Sequence, residues 1–114
     1  RDVINVEVHV SDEELGLGRF SDPALFVLLS LAGGEKHGYA MIEDIEETCG
    51  ARPGPGTLYG AIARLERRRL VEPLATEERR RPYRLTAAGA SALERRLWEL
   101  EGLARAGLGR LATT

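Results

Sequence analysis

The chain has 114 residues, the usual size of a single domain; 43% of them are hydrophobic and 30% are charged. With a net charge of −2, this composition predicts a soluble folded protein and excludes wholesale disorder. No run approaches the roughly 18 apolar residues that a membrane span needs. The single Cys49, with His9 and His37 far apart, gives neither a disulfide framework nor a metal-ligand spacing, so we expect a cytoplasmic protein without metal or cofactor.

The charge is unevenly distributed along the chain. Residues 1–50 hold three basic and eleven acidic side chains (−8), residues 51–84 nine and four (+5), and residues 85–114 four and three (+1). Fifteen of the sixteen basic residues are arginines, whose forked guanidinium groups suit phosphate and guanine, although a GC-rich genome produces the same bias. The basic middle third predicts a polyanion-binding patch on an otherwise acidic protein.

Residues 1–20 form an N-terminal arm for which two structures compete. Residues 3–10 alternate apolar and polar side chains as a strand does, whereas residues 11–14 (SDEE) have the pattern of a capping box that opens a helical turn. The arm is therefore expected either to pair as an edge strand or to remain a flexible extension.

Two helices are predicted after the arm. The first has Asp22 as its cap and Pro23 in its first turn, and it ends at Gly33. The second covers residues 38–48 and ends at Gly50; its apolar side chains lie on one side and its acidic ones on the other. Both helices are expected to contribute to one core.

A third helix and two short strands are predicted next. The helix covers residues 57–70, with a cationic face opposite a buried one. Its buried residues are expected to be Leu58, Ala61, Ile62 and Leu65. Residues 71–75 and 82–85 read as strands around a charged tip; because Pro73 and Pro82 each lack a backbone donor, we expect a short ribbon at a sheet edge.

The last predicted helix covers residues 87–111 and has Thr86 as its cap. Along it, apolar and small residues recur at alternating spacings of four and three, as in a coiled-coil seam. The seam consists of Leu93, Leu97, Leu100, Ala104, Gly107 and Leu111. Trp98, Leu103 and Leu108 lie outside it, and a helix that is apolar on more than one side is expected to bind a partner, most simply a second copy.

This order of elements predicts a mainly α fold with a small β-hairpin: a winged helix-turn-helix domain over residues 21–86 and a C-terminal dimerisation helix over residues 87–114. An α-helix fits the major groove of B-DNA, and the free N–H groups of its first turn suit phosphate. A basic hairpin tip beside it reaches the neighbouring backbone or minor groove. A two-fold dimer repeats the reading helix at about 34 Å, one turn of duplex.

Four runs of the sequence strengthen this interpretation. They are KHGYAMI at residues 36–42, PGTLY at 55–59, LERRRLV at 65–71 and RRRPYRLTAAG at 79–89. In this order and at this spacing they resemble the PadR-like family of transcriptional regulators, in its short subgroup with one C-terminal helix. The resemblance implies a homodimeric repressor that binds a palindromic operator and is released by a small aromatic effector. Gly60 and Gly54 depart from the proline and serine common in the family, which suggests a looser start to the reading helix.

The candidate DNA-binding residues follow from the charge pattern and from this resemblance. They are Tyr39, Thr57, Tyr59, Arg64, Arg67, Arg68, Arg79, Arg80, Arg81 and Tyr83. Arg64 is the candidate for a base-edge contact, and the three arginines of the tip, which repel one another in the free protein, are candidates for phosphate. Each has a structural alternative: Thr57 as a helix cap, Tyr59 and Tyr39 as packing residues, the helix arginines as solvated side chains.

The sequence is compatible with two further functions beside DNA binding. Trp98 is a candidate for stacking on an aromatic effector, with dimer packing as its alternative. The basic patch also suits an acidic partner protein, so a winged-helix interaction module without sequence-specific DNA binding is the second hypothesis. No phosphate loop and no Ser/His/Asp set is discernible in the sequence, so we do not expect an enzyme.

Overall fold

The structure, a computed structural model, describes residues 22–113; the arm over residues 1–20 lies outside this range, and neither of its two predicted structures is tested. The described chain folds as four helices and a three-stranded antiparallel sheet. In chain order these are α1 (Pro23–Ala32), β1 (Lys36–His37), α2 (Gly38–Cys49), α3 (Pro55–Arg67), β2 (Val71–Pro73), β3 (Pro82–Leu85) and α4 (Ala87–Ala112).

The predicted helix ends are confirmed at three places. The Asp22 carboxylate accepts from the N–H of Leu25 at 3.1 Å, and the Thr86 hydroxyl accepts from the N–H of Gly89 at 3.0 Å, so both residues cap their helices. Gly50 ends α2 with a φ of 77°, a left-handed conformation that glycine adopts without strain.

Helix α3 differs from its prediction at both ends. It begins at Pro55, two residues earlier than expected, because proline is suited to the first helical position. It ends at Arg67, where Arg69 adopts a φ of 60° and the N–H groups of Arg69 and Leu70 donate to the carbonyls of Glu66 and Leu65. This is a Schellman motif with arginine in place of the usual glycine.

The sheet has the order β1-β3-β2, and β1 was not predicted. In the register, Lys36 faces Tyr83, and His37 faces Pro82 across β1 and β3. The central strand is therefore β3, which corrects the expectation that the whole ribbon lies at an edge. Pro82 is tolerated there because it is the first residue of its strand.

The core lies between α1, α2 and α3. All four residues predicted on the buried face of α3 are buried. They pack with apolar side chains of α1 and α2, among them Val27, Met41 and Ile45, which are almost fully buried. This packing fixes the cationic face of α3 on the outside of the molecule.

Polar contacts join the end of α1 to β1 and α2. The Lys36 ammonium donates to the carbonyls of Ser30 and Gly34, the second at 3.1 Å, so it binds the last turn of α1 and the loop that follows it. The buried Ser30 hydroxyl donates to the Asp44 carboxylate at 2.6 Å. The basic side chain nearest to the start of α2 is thus engaged in holding the fold.

The α4 helix begins in close contact with the domain and then projects from it. A Cβ on Gly89 would collide with the carbonyl of Leu70, so only glycine permits this approach. Leu93 is buried in the core of the same chain and Leu100 is half-buried against that core, although both were expected in a seam between two copies. From residue 101 to residue 113 every residue is exposed. A 26-residue helix is about 39 Å long, so a large part of α4 has no support from its own domain.

Candidate nucleic-acid interface

The exposed face of α3 is cationic. Arg64, Arg67 and Arg68 are exposed, while Leu58 and Leu65 on the opposite side are buried in the core. None of the acidic side chains that the structure describes forms an ion pair with these arginines. The guanidinium groups are therefore available to an external anion.

The first turn of α3 has free backbone donors. Its N-cap is Gly54, whose lack of a side chain leaves the helix without a side-chain cap among residues 22–113. Thr57 is an exposed third residue of the helix, so the alternative prediction that it caps α3 is wrong. A phosphate could bind here through the uncapped N–H groups and the Thr57 hydroxyl, and the positive end of the helix dipole would favour its charge.

Tyr59 lies against the start of α2. Glycine at position 38 leaves space for its ring: a Cβ added there would lie 2.7 Å from the Cε1 atom of Tyr59. Tyr59 nevertheless remains 47% exposed, so its packing role and a role at the surface are compatible. The start of α2 itself is fixed by His37, whose Nδ1 accepts from the N–H of Ala40 at 3.1 Å.

The tip of the wing, residues 76–81, adds a second group of cations. Arg79, Arg80 and Arg81 are all exposed, and the tip has no salt bridge within the described chain. The Cζ atom of Arg80 lies 5.4 Å from the centroid of the Tyr39 ring, a cation–π distance. Tyr39, which is 46% exposed, thereby lies beside the wing tip.

Two other arginines of the basic segment are neutralised within the subunit. The Arg52 guanidinium donates to the Glu46 carboxylate at 2.7 Å, and Arg84 donates through Nε to Glu72 at 3.1 Å across β2 and β3. Both partners raise the pKa of the arginine, chiefly through the hydrogen bond. The sequence showed the surplus of positive charge but not which arginines were already paired.

Tyr83 is less accessible than the other two candidate tyrosines. It lies in β3, half-buried, and packs against the core. Burial raises the pKa of Tyr83, and the nearby charge of Glu66 raises it further, while Arg81 opposes the shift. Its phenol therefore stays neutral at physiological pH and can donate a hydrogen bond.

A groove lies along the first half of α4, where α1 and β3 pack against it. Its volume is about 470 Å³, and its walls are mainly apolar with two carboxylates. The lining residues are Ala32, Leu85, Ala90, Leu93, Glu94, Leu97, Trp98 and Glu101. Trp98 is 64% exposed here. Sequence reasoning singled out Trp98 but missed the glutamates, although their spacing of seven residues places them on one helix face.

Among residues 22–113, no helix is both long and apolar enough to span a bilayer. His, Cys, Asp and Glu side chains nowhere in the same range form a group of three that could hold a metal ion. Cys49 is exposed at the end of α2.

A helix-turn-helix with a cationic third helix, flanked by a basic wing, defines a winged-helix regulator of transcription, a class that binds DNA. The sequence model of the Transcriptional regulator PadR-like family matches residues 27–95, and the chain belongs to that family. The predicted resemblance and fold are thereby confirmed, as is the prediction of a regulator that is not an enzyme.

Individual relatives agree with this assignment. The chain is 40% identical over 91 residues to "Transcriptional regulator Rv3488" of Mycobacterium tuberculosis, a match that covers 75% of this chain and 81% of that protein. It is 52% identical over 77 residues to an "Uncharacterized 37.1 kDa protein in transposon TN4556" of Streptomyces fradiae; this covers 68% of the chain but only 22% of the longer protein. A crystal structure of a PadR family regulator from Clostridium difficile has the same fold, with a TM-score of 0.71 at 22% identity over 78% of this chain and 97% of that one.

Proposed function

We propose that the protein is a cytoplasmic, homodimeric repressor that binds a palindromic operator through α3 and the wing. The observation that carries this proposal is a group of seven arginines with no acidic partner among the described residues, divided between the end of α3 and the wing tip. They are Arg64, Arg67, Arg68, Arg69, Arg79, Arg80 and Arg81. Unpaired guanidinium groups on a helix of major-groove size and on an adjacent hairpin suit a duplex better than a flat acidic protein surface.

The exposed surface of α4 supports the homodimer. Four leucines of this helix are between 42% and 71% exposed, and solvation of that much apolar side chain on a projecting helix is unfavourable. They are Leu97, Leu103, Leu108 and Leu111. Ala104, which was predicted in the seam together with Leu97 and Leu111, is small and exposed, and would allow close approach of a second helix. Leu93 and Leu100 serve the subunit's own core and contribute less to this contact.

Binding experiments over a range of salt concentrations test the DNA-binding proposal. A dimer that neutralises roughly six to ten phosphates should lose affinity for duplex DNA with a slope of log affinity against log salt of about −5 to −9. A matched measurement with an acidic protein ligand tests the interaction-module hypothesis. Indifference to duplex DNA, or a flat slope, would favour that module.

An effector is proposed for the groove along α4. Trp98 offers an exposed indole ring, the apolar lining suits a flat aromatic molecule, and Glu94 and Glu101 favour a positive charge on it. Trp98 is the single tryptophan of the chain, so its fluorescence reports on this groove alone. A planar aromatic cation should quench this fluorescence and release the protein from DNA, whereas an uncharged analogue of equal size should bind more weakly. Equal binding of both molecules to wild type and to the Glu94→Gln/Glu101→Gln variant would contradict the charge assignment.

A further inference from the structure

The wing tip is connected to the helices by few polar contacts. At its base, the N–H of Leu74 donates to the carbonyl of Pro82 at 2.9 Å, and within the tip the N–H of Glu78 donates to the Thr76 hydroxyl at 3.0 Å. Within residues 22–113, the contact between Arg80 and Tyr39 is the one hydrogen bond, ion pair or ring contact that joins residues 76–81 to a helix. The β-ladders hold the base of the wing, so it is the orientation of the tip beyond them that depends on this contact.

The position of Tyr39 beside Arg80 follows from the strand register. Lys36 faces Tyr83, and His37 faces Pro82, so the pairing of β1 with β3 brings the start of α2 next to the end of the wing tip. Tyr39 comes two residues after His37, and Arg80 comes two residues before Pro82. The two side chains therefore stand at equal distances along the chain beyond the same end of the ladder.

The positive charges of the tip explain why an aromatic ring is a suitable partner for Arg80. Arg79, Arg80 and Arg81 are adjacent cations, and repulsion among them favours a spread of tip conformations. The face of an aromatic ring attracts a guanidinium group through its quadrupole and does so without a counter-charge. A carboxylate in the same place would hold Arg80 as well, but it would repel an approaching phosphate.

We propose that Tyr39 is a positioning residue for the wing: its ring holds Arg80, and thereby presents the arginines of the tip on the same side as α3 before DNA binds. This inference rests on the proposed DNA-binding function for its purpose, but not for its test in the free protein. The contact requires the aromatic ring of Tyr39 but not its hydroxyl group, so the two contributions can be tested separately.

The free protein provides the first test. Tyr39→Leu removes the aromatic face, and Tyr39→Phe keeps it as the matched control. An exposed cation–π contact corresponds to a factor of roughly two to five in population. Trypsin should therefore cleave Tyr39→Leu after Arg79 and Arg80 roughly two to five times faster than wild type or Tyr39→Phe, and ¹⁵N order parameters of residues 76–81 should fall. Equal cleavage rates and order parameters in all three proteins would overturn the proposal.

A double-mutant cycle provides the second test. Arg80→Gln should lower the order parameters of the tip as Tyr39→Leu does, and the double variant should lower them no further, because both changes remove one contact. Additive losses would overturn the proposal. Duplex binding by the same variants is measured separately: absence of DNA binding in wild type would reject the proposed function while the order parameters still decide the role of Tyr39.

Discussion

Arg69 is the one non-glycine residue among residues 22–113 that has a positive φ. It occupies the left-handed position that ends α3 with a φ of 60°, where an L-residue meets a steric cost that glycine does not. The hydrogen bonds of Arg69 and Leu70 to the end of α3 depend on this conformation. A strained arginine between α3 and the wing adds positive charge at a cost in stability.

Replacement of Arg69 by glycine should therefore raise the free energy of unfolding by about 1 kcal/mol, because the strain is relieved. Arg68→Gly is the matched control: it removes the same charge at a residue with a φ of −90°, so it should destabilise the protein slightly. Denaturant unfolding at equal protein concentration measures both. Loss of stability in Arg69→Gly would show that the side chain contributes more than the backbone conformation costs.

Gly89 is required for a different reason, which is space. A Cβ at this position meets the backbone of Leu70, which cannot move without disturbing the link between α3 and β2. Gly89→Ala should destabilise the protein by about 1–3 kcal/mol through overpacking. Gly102→Ala on the same helix has open space and should stabilise it by up to about 1 kcal/mol, since alanine has the higher helix propensity. Similar changes of melting temperature in the two variants would contradict the assigned contact.

At the scale of the element, α3 and the wing are expected to contribute differently to DNA binding. Arg64 lies on the exposed face of a helix that would enter the groove, whereas the arginines of the tip lie beside it and suit the backbone. The contact between Arg80 and Tyr39 joins the wing tip to the start of α2. Phosphate contacts affect all sequences equally, and base contacts affect only some of them.

Arg64→Ala should therefore reduce discrimination between operator and unrelated DNA by about 1–3 kcal/mol, with a smaller loss of non-specific affinity. The triple variant Arg79→Ala/Arg80→Ala/Arg81→Ala is the comparison and should weaken binding to both duplexes alike. Titration of operator and scrambled duplexes at one salt concentration measures both effects. Equal losses on the two duplexes for Arg64→Ala would assign Arg64 to the phosphate backbone.

The elements also show what could be predicted from the sequence. The buried face of α3 was predicted completely, because four apolar residues at helical spacing depend only on local periodicity. The strand β1 was not predicted because two residues are too few to show an alternation of apolar and polar side chains. Its pairing partner in β3 is also more than forty residues away in the sequence. The end of α3 was placed three residues too late because a glycine normally marks such an end, whereas here Arg69 occupies that position.

The positive charge of the candidate site could be predicted from the sequence, but the ion pairs of individual arginines could not. Arginine-rich runs indicated a basic surface, yet only the fold shows that Glu72 and Glu46 neutralise Arg84 and Arg52. The contact of Arg80 with Tyr39 depends on strand register, which no single run of the sequence contains.

At the scale of the whole molecule, α4 extends a domain that is otherwise compact. The described chain measures 57 × 27 × 21 Å, and the helix beyond residue 100 has no buried residue. A helix with isolated apolar side chains in solvent gains stability chiefly from tertiary or quaternary contact. In the proposed homodimer a second copy would supply that contact and would at the same time duplicate the proposed DNA-binding surface.

Leu108 lies outside the predicted seam but is one of the four exposed leucines of the proposed contact. Leu108→Glu should therefore dissociate the proposed dimer, because a carboxylate at the contact would be buried without a partner. The same substitution leaves the subunit folded, since Leu108 is 59% exposed there. Ala106→Glu is the matched control: two residues along a helix correspond to about 200° of rotation, so the same charge falls on the other face. Sedimentation equilibrium measures the association. A Leu108→Glu protein that remains dimeric would show that the subunits meet through another surface.

Selection of bound duplexes from a random pool tests the central claim most directly. One experiment reports whether the protein binds specific DNA, whether the bound site is symmetric and how far apart its half-sites lie. A homodimer that presents two reading helices should enrich an inverted repeat whose half-sites are separated by one turn of duplex, about 34 Å. Recovery of a single unrepeated motif, or of no motif at all, would contradict the proposal of a dimeric operator-binding regulator.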